Sequence, residues 1–366
     1  MKKSLILCAA LLACALGFQS CDKVDNPSGE PLEPTKAVID NGSDLKDVIA
    51  KFAKDGVLVL PAGAELTLNE PIELDQTLTI VSDPEDPATI IAKAGFVVSD
   101  NFALENVKID ATNLENQLII FSKDGSKIKN QDVYTDAAAK DYSLLGELSV
   151  KNCMIKNLKN SFIATNGNWA VVSLKIQNNI IQLDDESKNF IAFDNSGNCW
   201  AKETVIDGNT IYNIADATKS NAYFIRCGNA SNAAKIFGTN NGTSVTEFTL
   251  TNNTFINTFA IKQFGNNTPN NKVTTLNVKK NIFVDVYRLS KFIQGNNTKN
   301  IENNFIAVEK TEKVEGADDI ATTVESMGFT SPTVALDLTA VKGGLNLTPT
   351  GDAANAGDPR WIANAQ

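Results

Sequence analysis

The residues able to do chemistry are few, and their types exclude more than they suggest. The chain of 366 residues has no histidine. Ser-His-Asp and Cys-His catalysis, H-E-x-x-H metal sites and every imidazole ligand are therefore ruled out. Arginine occurs three times, as Arg226, Arg288 and Arg360. An acidic turn carries Asp184, Asp185 and Glu186. Glu186 and Asp216 each lie five residues beyond a matching isoleucine, Ile181 and Ile211, so a repeat would stack them on neighbouring turns. Two readings of that pair stand open, a Ca²⁺ site and two solvated turn carboxylates, and the second is the plainer.

A recurring Phe-Ile pair offers a binding chemistry. It appears at Phe162-Ile163, Phe190-Ile191, Phe224-Ile225 and Phe292-Ile293. Successive side chains of a strand face opposite ways. The residues two after each Phe are Ala164, Ala192, Arg226 and Gln294. An Arg or Gln in a dry interior is costly, so parity sends the isoleucines in and the phenylalanines out. Phe162, Phe190, Phe224 and Phe292, with Arg226, Lys262 and Gln294 beside them, would then form an outward row suited to stacking on sugar rings. An alternative is that other chain covers the row as a satellite core.

These residues sit within a repeat. Leu148-Ser-Val-Lys-Asn-Cys-Met-Ile155, Leu174-Lys-Ile-Gln-Asn-Asn-Ile-Ile181 and Thr204-Val-Ile-Asp-Gly-Asn-Thr-Ile211 align with one another. Phe102–Ile109, Phe248–Phe255, Leu276–Phe283 and Ile301–Ile306 follow the same pattern. Its third position falls at Leu104, Val150, Ile176, Ile206, Leu250, Val278 and Ile301, with polar insertions near 123–146 and 229–246. Short alternating strands broken by Asn and Gly, in units of about 22–30 residues, describe the coil of a parallel β-helix. One coil cannot bury its apolar face, but a stack can.

The 42 asparagines then acquire a role. Asn179, Asn209, Asn253, Asn281 and Asn304 share one column. Asn tolerates the left-handed backbone of a sharp corner, and at the strand spacing of about 4.8 Å each amide can donate to the next. A structural Asn ladder is expected, with Asn209 and Asn253 buried. Leu45, Val48, Ile49 and Phe52 follow helical spacing, with Ser43 or Asp44 as N-cap. A helix over about 44–53 is expected to lid the first coil, whose edges need cover.

The first 20 residues read as an export signal. Lys2 and Lys3 precede an apolar run from Leu5 to Gly17, too short to span a bilayer. Cys21 follows Phe18-Gln19-Ser20 and precedes Asp22-Lys23, the place of a lipobox cysteine. The expected anchor is a lipid on Cys21 in the outer membrane, facing the exterior. Residues 21–37 make an acidic, Pro-containing tether, 38–310 the solenoid, and 311–366 an irregular C-terminal coil or cap. Cys153, Cys199 and Cys227 have no metal spacing and read as small buried hydrophobes. The net charge of −10 argues against a nucleic-acid partner.

Residues 56–83, GVLVLPAGAELTLNEPIELDQTLTIVSD, resemble the opening of pectate-lyase-like proteins, and Ala356-Gly-Asp-Pro-Arg-Trp361 is similar to the close of surface lipoproteins in that superfamily. The resemblance implies a right-handed parallel β-helix. It also implies a lipid-anchored protein of the unknown-function type that accompanies glycan-uptake systems of gut anaerobes. Other glycan-uptake proteins would then be partners. A hydrolase of the polygalacturonase type is excluded, because its Gly-His-Gly and Arg-x-Lys are absent. A polysaccharide lyase would draw on Arg226, Arg288, Glu186 and Asp216, and only there does Ca²⁺ enter. The expected function is non-catalytic polysaccharide binding, with no cofactor. The alternatives are that lyase, or a scaffold or adhesin without a small ligand.

Overall fold

A computed structural model describes residues 39–123, 125, 141–184, 188–215, 222–227, 237, 239–240, 243–244, 246–258, 265–266, 275–286, 289, 298–308, 320–330 and 334–363. Strand follows strand through three parallel sheets. The first, of nine strands, begins with Val57–Leu60; the second, of eleven, with Ser43–Asp44; the third, of seven, with Ile72–Leu74. Each coil passes from first to second to third sheet. Val57–Leu60, Glu65–Leu68 and Ile72–Leu74 make one circuit, and Leu78–Ser82, Thr89–Ala92 and Phe96–Val98 the next. The result is an all-β parallel solenoid.

The aligned apolar position is a physical column. Leu104 pairs with Val150, Val150 with Ile176, Ile176 with Ile206, Ile206 with Leu250, Leu250 with Val278 and Val278 with Ile301. Register holds because a one-residue slip would turn every such side chain to the outside. Ile109, Ile155, Ile181 and Ile211 from the second sheet and Ile119, Ile163 and Ile191 from the third complete the same dry core.

Among the described residues a single α-helix, α1 (Leu45–Phe52), follows the edge strand Ser43–Asp44. Asp44 is its N-cap, accepting from the Lys46 amide at 2.9 Å. Leu45 and Val48 are buried in the solenoid core, with Ile49 and Phe52 packed beside them. The C-terminal region does two things. Thr322–Thr323 adds a last strand to the second sheet, and residues 334–361 run as irregular chain across that sheet's outward face. Leu336, Leu345, Leu347, Ala353, Ala356 and Trp361 bury against Ile180, Tyr212, Ile256, Ile282 and Val284.

Candidate functional site

The corner between the first and second sheets carries two adjacent columns. The first is left-handed: Asn106, Asn152, Asn178, Gly208, Asn252, Lys280 and Asn303 have φ between 53° and 67°. The second holds the expected ladder, one residue later. Asn179 Nδ2 donates to Asn209 Oδ1 at 2.9 Å, Asn209 to Asn253 at 2.9 Å, Asn253 to Asn281 at 3.0 Å and Asn281 to Asn304 at 2.9 Å. Each Oδ1 also accepts the backbone N–H of the preceding rung. Each Nδ2 also reaches a carbonyl, from Val150 to Val278. All five asparagines are buried. The left-handed backbone therefore belongs to the preceding residue and not to the ladder, which corrects one of the two reasons offered for the column. The ladder Asn is selected by its side chain alone. Its first rung is Cys153, whose thiol lies 3.8 Å from the Leu104 carbonyl in place of an amide. Cys153, Cys199 and Cys227 form no disulfide and are buried, as small hydrophobes.

The expected outward row of phenylalanines is overturned. Phe162, Phe190 and Phe224 are at most 2% exposed. They do stack in register, with centroids 5.0 Å and 5.4 Å apart and planes within 20°, but inside the core. Each occupies a bend just before its strand, which starts at Ile163, Ile191 or Ile225. Alternation holds only within extended backbone, so parity does not reach a corner residue, and Phe and Ile both turn inward. Within the strand parity does hold at Arg226, which points out between buried Ile225 and Cys227. Its partners in the row, Ala164 and Ala192, are buried.

Arg226 is not a free cation. Its Nε lies 2.7 Å from Asp194 and its guanidinium 5.5 Å from the Tyr223 ring centroid. Burial pushes the Asp194 carboxyl above its ordinary value, and Arg226 offsets this in part. A guanidinium held in this way is a poor base for a lyase. Glu186, Asp216, Lys262, Arg288, Phe292 and Gln294 lie outside the described residues, as does Cys21. No group of three or more acidic or cysteine side chains suited to a metal occurs among the described residues.

Residues not singled out from the sequence make a more open surface. The outward face of the first sheet carries two in-register columns. One runs Ser149, Lys175, Val205, Thr249, Asn277, Asn300; the other Lys151, Gln177, Asp207, Thr251, Lys279, Glu302. Neighbours brace one another. Lys175 bonds Glu147 at 2.6 Å, Asn277 bonds Glu247 at 2.7 Å, Asn300 bonds Asn277 at 2.8 Å and Thr251 bonds Asp207 at 2.6 Å. The signal was present in the x positions of the repeat, which are polar in nearly every copy. At the start of the longer strands this face is apolar instead, and Leu144 and Ala170 pack there with Tyr142 and Phe237.

Residues 64–214 match a family model described as a domain of unknown function, DUF4957. The match covers less than half of the chain and stops before the C-terminal segment. No curated protein and no solved structure matches this chain.

Arg360, the remaining described arginine, is structural. Its guanidinium donates to the carbonyls of Asn178 at 2.8 Å, Asn179 at 2.7 Å and Gly208 at 3.1 Å, and is paired with Asp358. Asp358 accepts from Thr210 at 2.7 Å, and Thr210 accepts from Trp361 Nε1 at 2.7 Å. The Ala356–Trp361 motif is thus a latch that pins the C-terminal segment to the corner of the solenoid.

Proposed function

We propose that this chain is a non-catalytic polysaccharide-binding solenoid, held at the outer membrane by a lipid on Cys21. The observation that carries the reading is the outward face of the first sheet. Its polar columns repeat at the strand spacing of about 4.8 Å, which is comparable to the length of one pyranose residue. Amide, hydroxyl, carboxylate and ammonium groups are fixed there by neighbours, so few rotamers need be frozen on binding. Val205, between Lys175 and Thr249, adds an apolar contact for a sugar face. The buried phenylalanines take no part.

The test uses the chain from Asp22 against a panel of acidic and neutral polysaccharides, with and without Ca²⁺. Binding by at least one polysaccharide is expected, with loss of affinity in Asn277→Ala and Thr249→Ala and no change in melting temperature. Retention of full affinity in both variants would move the site elsewhere. Appearance of an unsaturated uronate, read by ultraviolet absorbance, would overturn the non-catalytic reading. For the anchor, fatty-acid label should be absent from Cys21→Ser; label at the wild-type level would refute it.

A further inference from the structure

The outward face of the second sheet changes character along its length. One column reads Thr89, Lys108, Met154, Ile180, Thr210, Thr254, Ile282. From Met154 onward it lies against the C-terminal segment. Before that point it is open, and a loop carrying Pro84 and Pro87 stands beside it. Beside the loop lies a cavity of about 310 Å³ lined by Pro84, Pro87, Asn106, Lys108, Asn152 and Met154. That volume is at the small end of ligand sites, and the mixture of an apolar wall with few polar groups is their usual composition.

The polar groups agree on one ligand chemistry. Strand parity puts Lys108 and Met154 on the outward side, with Ile109 and Ile155 inward. Lys108 makes no ion pair among the described residues. The neighbouring elements also carry carboxylates: Asp83, Glu85 and Asp86 on the proline loop, Glu105 and Asp110 on the strands. Asp83 caps the amide of Glu85 at 2.8 Å, Asp110 accepts from the Thr112 amide at 3.0 Å, and Asp86 lies over Gly63. Asn106 and Asn152, held at positive φ at the corner one coil apart, have side-chain amides with no hydrogen-bond partner among the described residues. The proline rings and the Met154 thioether supply a flat apolar wall. In a chain of net charge −10, a lysine and two side-chain amides that share one cavity with no partner among the described residues are a local exception.

We propose that this cavity is a subsite for a single pyranose bearing an anionic substituent, a carboxylate or a sulfate ester. The ring lies against Pro84, Pro87 and Met154, and Lys108 with the two amides grips the anion. The corner position puts the cavity at the margin of the first-sheet face, so a polysaccharide lying there could place an acidic residue or branch in it. The inference takes its ligand class from the polysaccharide reading, but its test does not depend on it.

The experiment is calorimetric titration of the chain from Asp22 with galacturonic acid, galactose 6-sulfate and galactose. One of the acidic sugars is expected to bind at least about tenfold tighter than galactose, as one charge-assisted contact supplies. Lys108→Met should erase that preference with its melting temperature unchanged. Asn152→Gly, which keeps the positive φ and removes the amide, should weaken the acidic sugar severalfold and is the check should Lys108→Met misfold. Equal or absent binding of acidic and neutral sugars overturns the proposal, as does a preference that survives in Lys108→Met. Failure of the first-sheet variants to affect polysaccharide binding would bear on the proposed function alone, because these monosaccharides need only the cavity.

Discussion

Two outward faces of one solenoid have been treated in opposite ways. The first sheet turns Lys175, Thr249, Asn277 and Asn300 to the surface and leaves them half-exposed. The second turns out Ile180, Tyr212, Ile256 and Ile282 and then covers them with its own C-terminal segment. The difference is one of composition at equivalent positions. Polar outward residues can remain in water, whereas an apolar sheet face of that size cannot. The covering chain has to satisfy the polar groups it buries as well. Gln182 accepts from the Leu336 amide, and Tyr212 donates to the Val334 carbonyl at 2.9 Å. The lesson is that a solenoid's interior fixes its coils, while the outward columns decide which faces serve as surface and which become a second core.

The comparison can be broken most severely at the latch. Arg360→Ala would leave Asp358, which is 1% exposed, as an uncompensated buried charge at a cost of about 3–5 kcal/mol. Trp361→Ala should cost a similar amount, about 3–5 kcal/mol. Both should lower the denaturation midpoint and raise binding of a hydrophobic dye as the second face is uncovered. A dye signal equal to wild type would mean the segment stays docked without its latch. Phe224→Ala removes a ring from the shared core and should also cost about 3–5 kcal/mol. That is the outcome opposite to the one an exposed aromatic row would give.

The ladder comes next. Asn253→Ala takes the side-chain acceptor from the Asn209 backbone N–H and the side-chain donor from the Ile206 carbonyl, at about 1–3 kcal/mol, measured by chemical denaturation. Asp194→Asn tests the third sheet. Burial raises the folded-state pKa of Asp194 above its unfolded value. Its contribution to stability is therefore present at low pH and lost as pH rises through the folded pKa. At neutral pH the variant should be as stable as wild type or slightly more so, despite losing the 2.7 Å pair with Arg226. The difference should shrink on acidification; a variant clearly less stable at neutral pH would show the ion pair outweighing the burial. The smallest effect belongs to the bare face. Lys175→Met breaks a pair whose side chains are 28% and 43% exposed, and should change stability by about 0–1 kcal/mol.

Much of this was legible in the residues. The apolar column from Leu104 to Ile301 could be aligned because burial admits only apolar side chains at period two, and that constraint repeats in every coil. The Asn ladder was legible for a related reason. A buried amide at a corner needs an identical neighbour above and below, so the same residue recurs at one position. Gly208 belongs to the same logic, because a Cβ there would stand 2.4 Å from Asn178 Oδ1 at a φ of +67°.

Other features were decided by tertiary structure alone. The phenylalanine row has the in-register stacking its spacing implied, but whether a corner residue turns in or out depends on the bend preceding each strand, and a rule of strand parity has nothing to say about it. The Ala356–Trp361 motif was visible as a motif, yet its role rests on carbonyls of Asn178, Asn179 and Gly208, some 150–180 residues away in sequence. No local pattern encodes a contact of that range. The same holds for the cavity beside Lys108, whose walls come from three separate coils. Sequence periodicity determined how this chain coils, because each coil repeats the same local burial problem. Which faces of the coil lie bare, and which are closed by distant chain, was settled only when the ends of the molecule folded back on it.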